Sequence, residues 1–269
     1  MPYSSWLPGV ASNGTLFSIT LQHNAITLDS IALHAAIPGD YQQRALRRGR
    51  RLQRAWHRLR QRAAAAVVGL PRGAALLDAG CGSGIMLRYL ARPGMRVTGI
   101  DISPPAAAFA RAHLADLAPD IILHNVPSAP IAPASHDIAL CCEVLEHLTP
   151  AEADALLLAL QRALRPGGHL YITVPNAHSP WLLLEWLLDT LRLTPPMRGQ
   201  QHVTRYHRGS LAARITQAGF TVERLGTFNL LAPFGYWLHP RLGRRLLLWE
   251  LAHCAHGGNL LYLLARKSQ

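Results

Sequence analysis

A chain of 269 residues, 49% apolar and 16% charged, can bury a large core and is too greasy to be disordered. The formal charge is +12, yet 27 basic residues include a single lysine, Lys267, a usage typical of GC-rich genomes that weakens the case for a nucleic-acid partner. Cys81, Cys141, Cys142 and Cys254 form no Cys-x-x-Cys pair, and neither a secretory leader nor a run of about 18 uncharged apolar residues is present, so a cytoplasmic, reducing setting is expected.

Residues 1–39 lack a strong period, are broken by Pro8-Gly9, Asn13-Gly14 and Pro38-Gly39, and read as an arm. Over residues 40–69 a basic amphipathic helix is predicted. Leu52, Ala55, Trp56, Leu59, Ala63 and Val67 form its apolar stripe. Nine arginines from Arg44 to Arg62 form a solvated face or one that meets an anionic surface. Strands and helices then alternate, as in a parallel sheet with crossover helices. Strands are expected at residues 75–79, 96–100, 120–124, 137–142 and 169–174, with helices at 84–91, 105–117 and 151–164. A helix at 210–218, a strand at 220–227 and a closing strand at 259–265 complete the reading of residues 40–269 as one α/β unit.

The most informative segment is Leu-Leu-Asp-Ala-Gly-Cys-Gly-Ser-Gly, residues 76–84, which takes a buried strand into a glycine turn and then a helix. Glycines let a ligand approach the main chain closely. Alone the pattern is weak, being shared with dinucleotide folds. Seventeen residues beyond Gly84, however, the next strand ends in Gly-Ile-Asp101, where a carboxylate can accept both hydroxyls of a ribose. Ser103 is available to cap the following helix in its place.

These segments, with residues 137–148 (Asp-Ile-Ala-Leu-Cys-Cys-Glu-Val-Leu-Glu-His-Leu) and 164–176 (Leu-Arg-Pro-Gly-Gly-His-Leu-Tyr-Ile-Thr-Val-Pro-Asn), resemble the ordered motifs of class I S-adenosylmethionine-dependent methyltransferases over about residues 70–265. The resemblance implies a Rossmann-like, seven-stranded, mostly parallel sheet with an antiparallel last strand and helices on both faces. It also implies S-adenosylmethionine as cofactor, bound by Asp78, Gly80, Cys81, Gly82, Gly84, Asp101, Ile102, Asn125, Val126 and Cys142. In that set Gly80, Cys81 and Gly82 line the methionine part, Asp101 holds the ribose and Ile102 packs on adenine. Asn125 departs from the family's acid at the adenine amine, but its carbonyl oxygen still accepts from an amine.

At the end of the fourth strand Glu143, Glu146 and His147 stand where the methyl acceptor belongs. Three readings stay open. His147 is a general base, with Glu143 beside it; Glu143, Glu146, His147 and His202 ligate Mg²⁺ or Mn²⁺; or the residues tie the loop to its neighbours. Ubiquinone-biosynthesis O-methyltransferases and small-RNA 3′-terminal 2′-O-methyltransferases carry a similar Glu-x-x-Glu-His, and both are associated with a metal.

Two connections, residues 176–208 and 229–258, are rich in Leu and Trp and are expected to cover the active site. They pack on each other as a lid, line an apolar acceptor pocket, or dip into the inner membrane face as a peripheral contact. A small, apolar or lipid-like acceptor methylated at a hydroxyl is favoured over RNA, whose grooves are polar, and over a non-catalytic cofactor-binding subunit.

Overall fold

The computed structural model describes residues 38–180 and 203–268. Strand β1 (Ala75–Ala79) is buried at all five positions, as befits a strand covered on both faces. β2 (Arg96–Asp101) and β4 (His136–Cys142) flank it in parallel; β3 (Asp120–Leu123) lies outside β2 and β5 (Leu164–Pro175) outside β4. With β6 (Phe220–Phe228) and β7 (Leu260–Lys267) the order is β3-β2-β1-β4-β5-β7-β6, and β7 runs antiparallel to both neighbours. The expected Rossmann-like sheet is the one observed.

Alternate strand residues feed opposite faces. Leu76, Leu140, Tyr171 and Phe228 face a core shared with α2 (Arg51–Val68), α3 (Ile85–Leu90), α4 (Pro104–His113), α7 (Ala232–Leu238) and α8 (Pro240–His253). Leu77, Ala139, Leu170 and Ile172 face the other, built on α5 (Pro150–Ala163) and α6 (Arg208–Gln217). The sequence marks several helix starts: Thr149 and Glu152 close a capping box on α5, and Ser103 Oγ accepts the Ala106 N–H at 3.4 Å on α4.

Two expectations need correction. The single helix of residues 40–69 is two, α1 (Tyr41–Arg48) and α2, separated by extended backbone at Gly49 and Arg50. A straight helix would hold Gln42 and Gln61 about 28 Å apart, yet Gln42 bonds Ser83 and Gln61 bonds Ile85, two residues further along one turn. β5 begins at Leu164, not His169, because Leu164 already pairs with His136 and the Arg-Pro-Gly-Gly turn is absorbed as an irregularity. Residues 229–258 form two helices that pack on α2 and the sheet, with Tyr236, Leu247 and Leu251 in the core. Residues 1–37 of the arm, most of the 176–208 insertion and His202 lie outside the described residues. No helix among the described residues is long and apolar enough to cross a membrane.

Candidate functional site

Crossovers from β1 and β4 diverge, so the carboxyl ends of these adjacent strands open a crevice. The glycine turn after β1 fills one side of it. Gly80, Gly82 and Gly84 sit at φ +79°, +52° and +69°, where L side chains are strained. At Gly80 a Cβ would also stand 2.5 Å from Val144 Cγ2. Gly80 and Cys81 donate their N–H groups to Ile100 O at 2.8 and 2.9 Å, which pins the turn to the end of β2.

Asp101 completes that junction. It is 9% exposed, and its two oxygens accept the N–H groups of Gly82 (2.6 Å) and Ser103 (2.9 Å). Asp101 and Ser103 therefore divide the work: the acid braces the glycine turn while the serine caps α4. His124 donates its N–H to Asp101 O at 3.0 Å, bringing half-buried Asn125 and buried Val126 to the same edge as half-buried Ile102.

The opposite wall comes from α1 and α2. Gln42 Oε1 accepts the Ser83 N–H at 3.1 Å, and the Ser83 hydroxyl donates to Gly39 O. Gln61 Nε2 donates to Ile85 O at 3.1 Å. Arg60 Nη2 lies 3.2 Å from Glu143 Oε1. With Asp78, Cys81 and Cys142 these helices enclose a cleft of about 30 Å³, so their side chains occupy most of the space beside the turn. Burial and the nearby Asp101 push the Asp78 carboxyl up to about 7, while burial and Arg60 hold the His57 imidazole down to about 3. Burial raises the Cys81 and Cys142 thiols, so neither is a nucleophile.

Gln42, His57 and Gln61 are absent from the sequence reading, and Arg60 enters it only as one of the nine arginines of the basic face. The signal was present: His57, Gln61, Ala64 and Val68 recur at helical spacing and are all buried, a second covered face beside the apolar stripe.

At the acceptor end Glu143 holds φ +57°, uncommon for a residue with a side chain and typical of constrained sites. Its N–H donates to Thr173 O at 2.8 Å, and Thr173 Oγ1 donates to its carboxylate at 3.0 Å. Glu146 is 3% exposed, and burial with the Glu143 charge pushes its carboxyl well above the ordinary carboxylate range. His147 is 41% exposed, with Nε2 4.0 Å from Glu146 Oε1. Val203 and Thr204 donate their N–H groups to Glu146 O at 2.8 and 3.1 Å, so the β5–α6 connection returns onto this loop. Among the described residues no three His, Cys, Asp or Glu side chains converge as a metal site. Glu143 is committed to Arg60 and Thr173, so the described part of the expected ligand set does not fit Mg²⁺ or Mn²⁺.

Residues 48–225 match the family described as a methyltransferase domain, more than half of the chain. The chain belongs to the class I S-adenosylmethionine-dependent methyltransferase family. This methyltransferase is 35% identical over 161 residues to the ubiquinone biosynthesis O-methyltransferase of Aromatoleum aromaticum, covering 57% of the chain and 67% of that relative. Its counterpart in Idiomarina loihiensis is 33% identical over 150 residues, 54% of the chain and 60% of the relative. The chain thus spans between 60% and 67% of the length of these two relatives. For the fold, Burkholderia thailandensis 1,6-didemethyltoxoflavin-N1-methyltransferase, solved with 1,6-didemethyltoxoflavin and S-adenosylhomocysteine, superposes with TM-score 0.57 at 20% identity, covering 93% of this chain and 94% of that one.

Proposed function

We infer that this methyltransferase moves a methyl group from S-adenosylmethionine to a hydroxyl of a small apolar or lipid-like acceptor. The observation that carries the reading is the braced junction of Asp101 with the glycine turn: three glycines at positive φ held against a buried strand-end carboxylate whose oxygens accept the Gly82 and Ser103 N–H groups. That arrangement fits a nucleoside carrying a cationic amino-acid tail. When bound, the cofactor supplies an electrophilic methyl on a sulfonium.

The chain's own residues do the rest. Asp101 accepts the ribose hydroxyls, and Gly80, Cys81, Gly82 and Gly84 admit the amino-acid part close to the main chain. Asp78 faces the ammonium group, Arg60 the carboxylate, and Cys142 closes the floor. Ile102 and Val126 pack on adenine, and Asn125 accepts from its amine. In-line displacement asks mainly for positioning and removal of one proton. The half-exposed His147 imidazole takes the acceptor's hydroxyl proton, and Glu143, held by Arg60 and Thr173, positions the acceptor beside it. Hydroxyl acceptance is supported by the two O-methyltransferase relatives.

The test is transfer of labelled methyl to a small catechol acceptor, with and without EDTA. Turnover is expected to survive the chelator. His147→Ala is expected to slow it about 10²–10⁴-fold at nearly unchanged cofactor affinity. Loss of activity in EDTA with rescue by Mg²⁺ would overturn the metal-free reading, and full activity in His147→Ala would remove His147 as the base.

A further inference from the structure

The helical hairpin α7–α8 leaves a concentrated apolar surface in solvent. Leu231 just before α7, Phe234, Trp237 and Leu238 on α7, and Leu242, Leu248 and Trp249 on α8 are all exposed, Leu238 at 67% and Trp237 at 53%. Most exposed large apolar side chains among the described residues fall in this one segment, whereas single scattered ones need no explanation.

Packing does not require them to face outward. The two helices meet at Gly235 and Gly243, where a Cβ on Gly243 would lie 2.5 and 2.6 Å from Tyr236 Cα and N. Tyr236, Leu247 and Leu251 already fill the inner face. The outer face is therefore surplus to the core.

Charge identifies what covers it. Arg241, Arg244 and Arg245 are exposed among the apolar residues of α8. On the flank, Arg58 Nη1 donates to the Tyr236 hydroxyl at 3.1 Å and Arg62 lies over its ring at 5.4 Å, which extends the positive field from α2. Between residues 229 and 258 the only carboxylate is Glu250. It is fully buried and accepts the N–H groups of Asn229, Leu231 and Ala232 at 2.7, 2.6 and 2.8 Å. Exposed Trp, Phe and Leu interleaved with arginine, and no outward acid, match the headgroup level of an anionic bilayer. Nucleic acid would use the arginines but leave the Leu and Trp side chains wet.

We propose that α7 and α8 form a docking surface for an anionic lipid bilayer, seating the hairpin in the headgroup region with Trp237, Leu238 and Trp249 immersed. The contact is peripheral. It is separate from the acceptor reading above, because none of its residues lines the cofactor cleft.

The test is flotation of the full chain with vesicles of phosphatidylcholine alone or mixed with phosphatidylglycerol. Binding is expected only to the anionic vesicles, and added salt should weaken it. Replacing Arg241, Arg244 and Arg245 by Gln should weaken binding about fivefold for each arginine removed. The double variant W237E/W249E should lose it while keeping its melting temperature, its cofactor affinity and its turnover of a small soluble acceptor. Three results would overturn the proposal. The first is no binding at all; or binding unchanged in both variants, which would place the contact elsewhere on the chain. The second is a dimer in solution that W237E/W249E converts to a monomer without lipid binding, making a second copy the occupant. The third is salt-sensitive RNA binding lost with the same arginines, without vesicle association. Loss of turnover with membrane binding intact would count against the acceptor reading alone.

Discussion

Two acids of one cleft, Asp78 and Asp101, are unequal. Asp101 has backbone donors on both oxygens, whereas Asp78 is buried beside it and its carboxyl rises to about 7. The protonated form is favoured in the folded state, so its contribution is complete below the ordinary carboxylate value of 3.8 and is lost as pH rises through about 7. Melting temperature of the cofactor-free protein is expected to fall across that window. Affinity for S-adenosylhomocysteine should move the opposite way, since an ionised Asp78 attracts the ligand's ammonium group. Calorimetry near pH 6 should register proton release on binding, and Asp78→Asn should flatten both profiles. Identical affinity on either side of neutrality in the wild type would remove Asp78 from the ligand's reach. Both acids were legible in the sequence because they sit in short local motifs. Arg60, His57 and Gln61 were not assigned, because a buried polar residue on an arginine-rich helix looks like a solvated one until its distant partner is known; here the partners are Glu143 and Ile85.

Strands and crossover helices were legible as elements because each carries its own period and caps; the departures arise where tertiary contact overrides a local pattern. Gly49 breaks the helical run because α1 must fold back over Ser83, a demand that no periodicity within residues 40–69 encodes. Residues 229–258 were read as a cover for the site because their connection leaves its strand at the cofactor face; Gly235 and Gly243 let the two helices close on each other, and they pack beside α2. That crossing makes a direct prediction. Gly243→Ala inserts a methyl into the Tyr236 backbone and should cost about 1–3 kcal/mol of stability, read from denaturant unfolding. An unchanged midpoint would mean that the helices do not touch there.

At the scale of the whole molecule, the switch between β1 and β4 sets the cofactor crevice, and the insertions modify what surrounds it. The cofactor half is written in local sequence, as Asp101 and the glycine turn are. The acceptor half depends on how the β5–α6 connection returns onto the Glu146 loop through Val203 and Thr204, a pairing between segments far apart in the chain. Everything proposed about acceptor and surface rests on the cofactor being held at Asp101. Calorimetric titration of S-adenosylhomocysteine into the wild type, Asp101→Asn and Asp101→Ala tests that most directly, with thermal melting to establish that the variants fold, since Asp101 also braces Gly82 and Ser103. The account predicts saturable one-to-one binding by the wild type and a loss of about 2–3 kcal/mol in Asp101→Ala, with Asp101→Asn between the two. Equal affinity in all three folded proteins would contradict it.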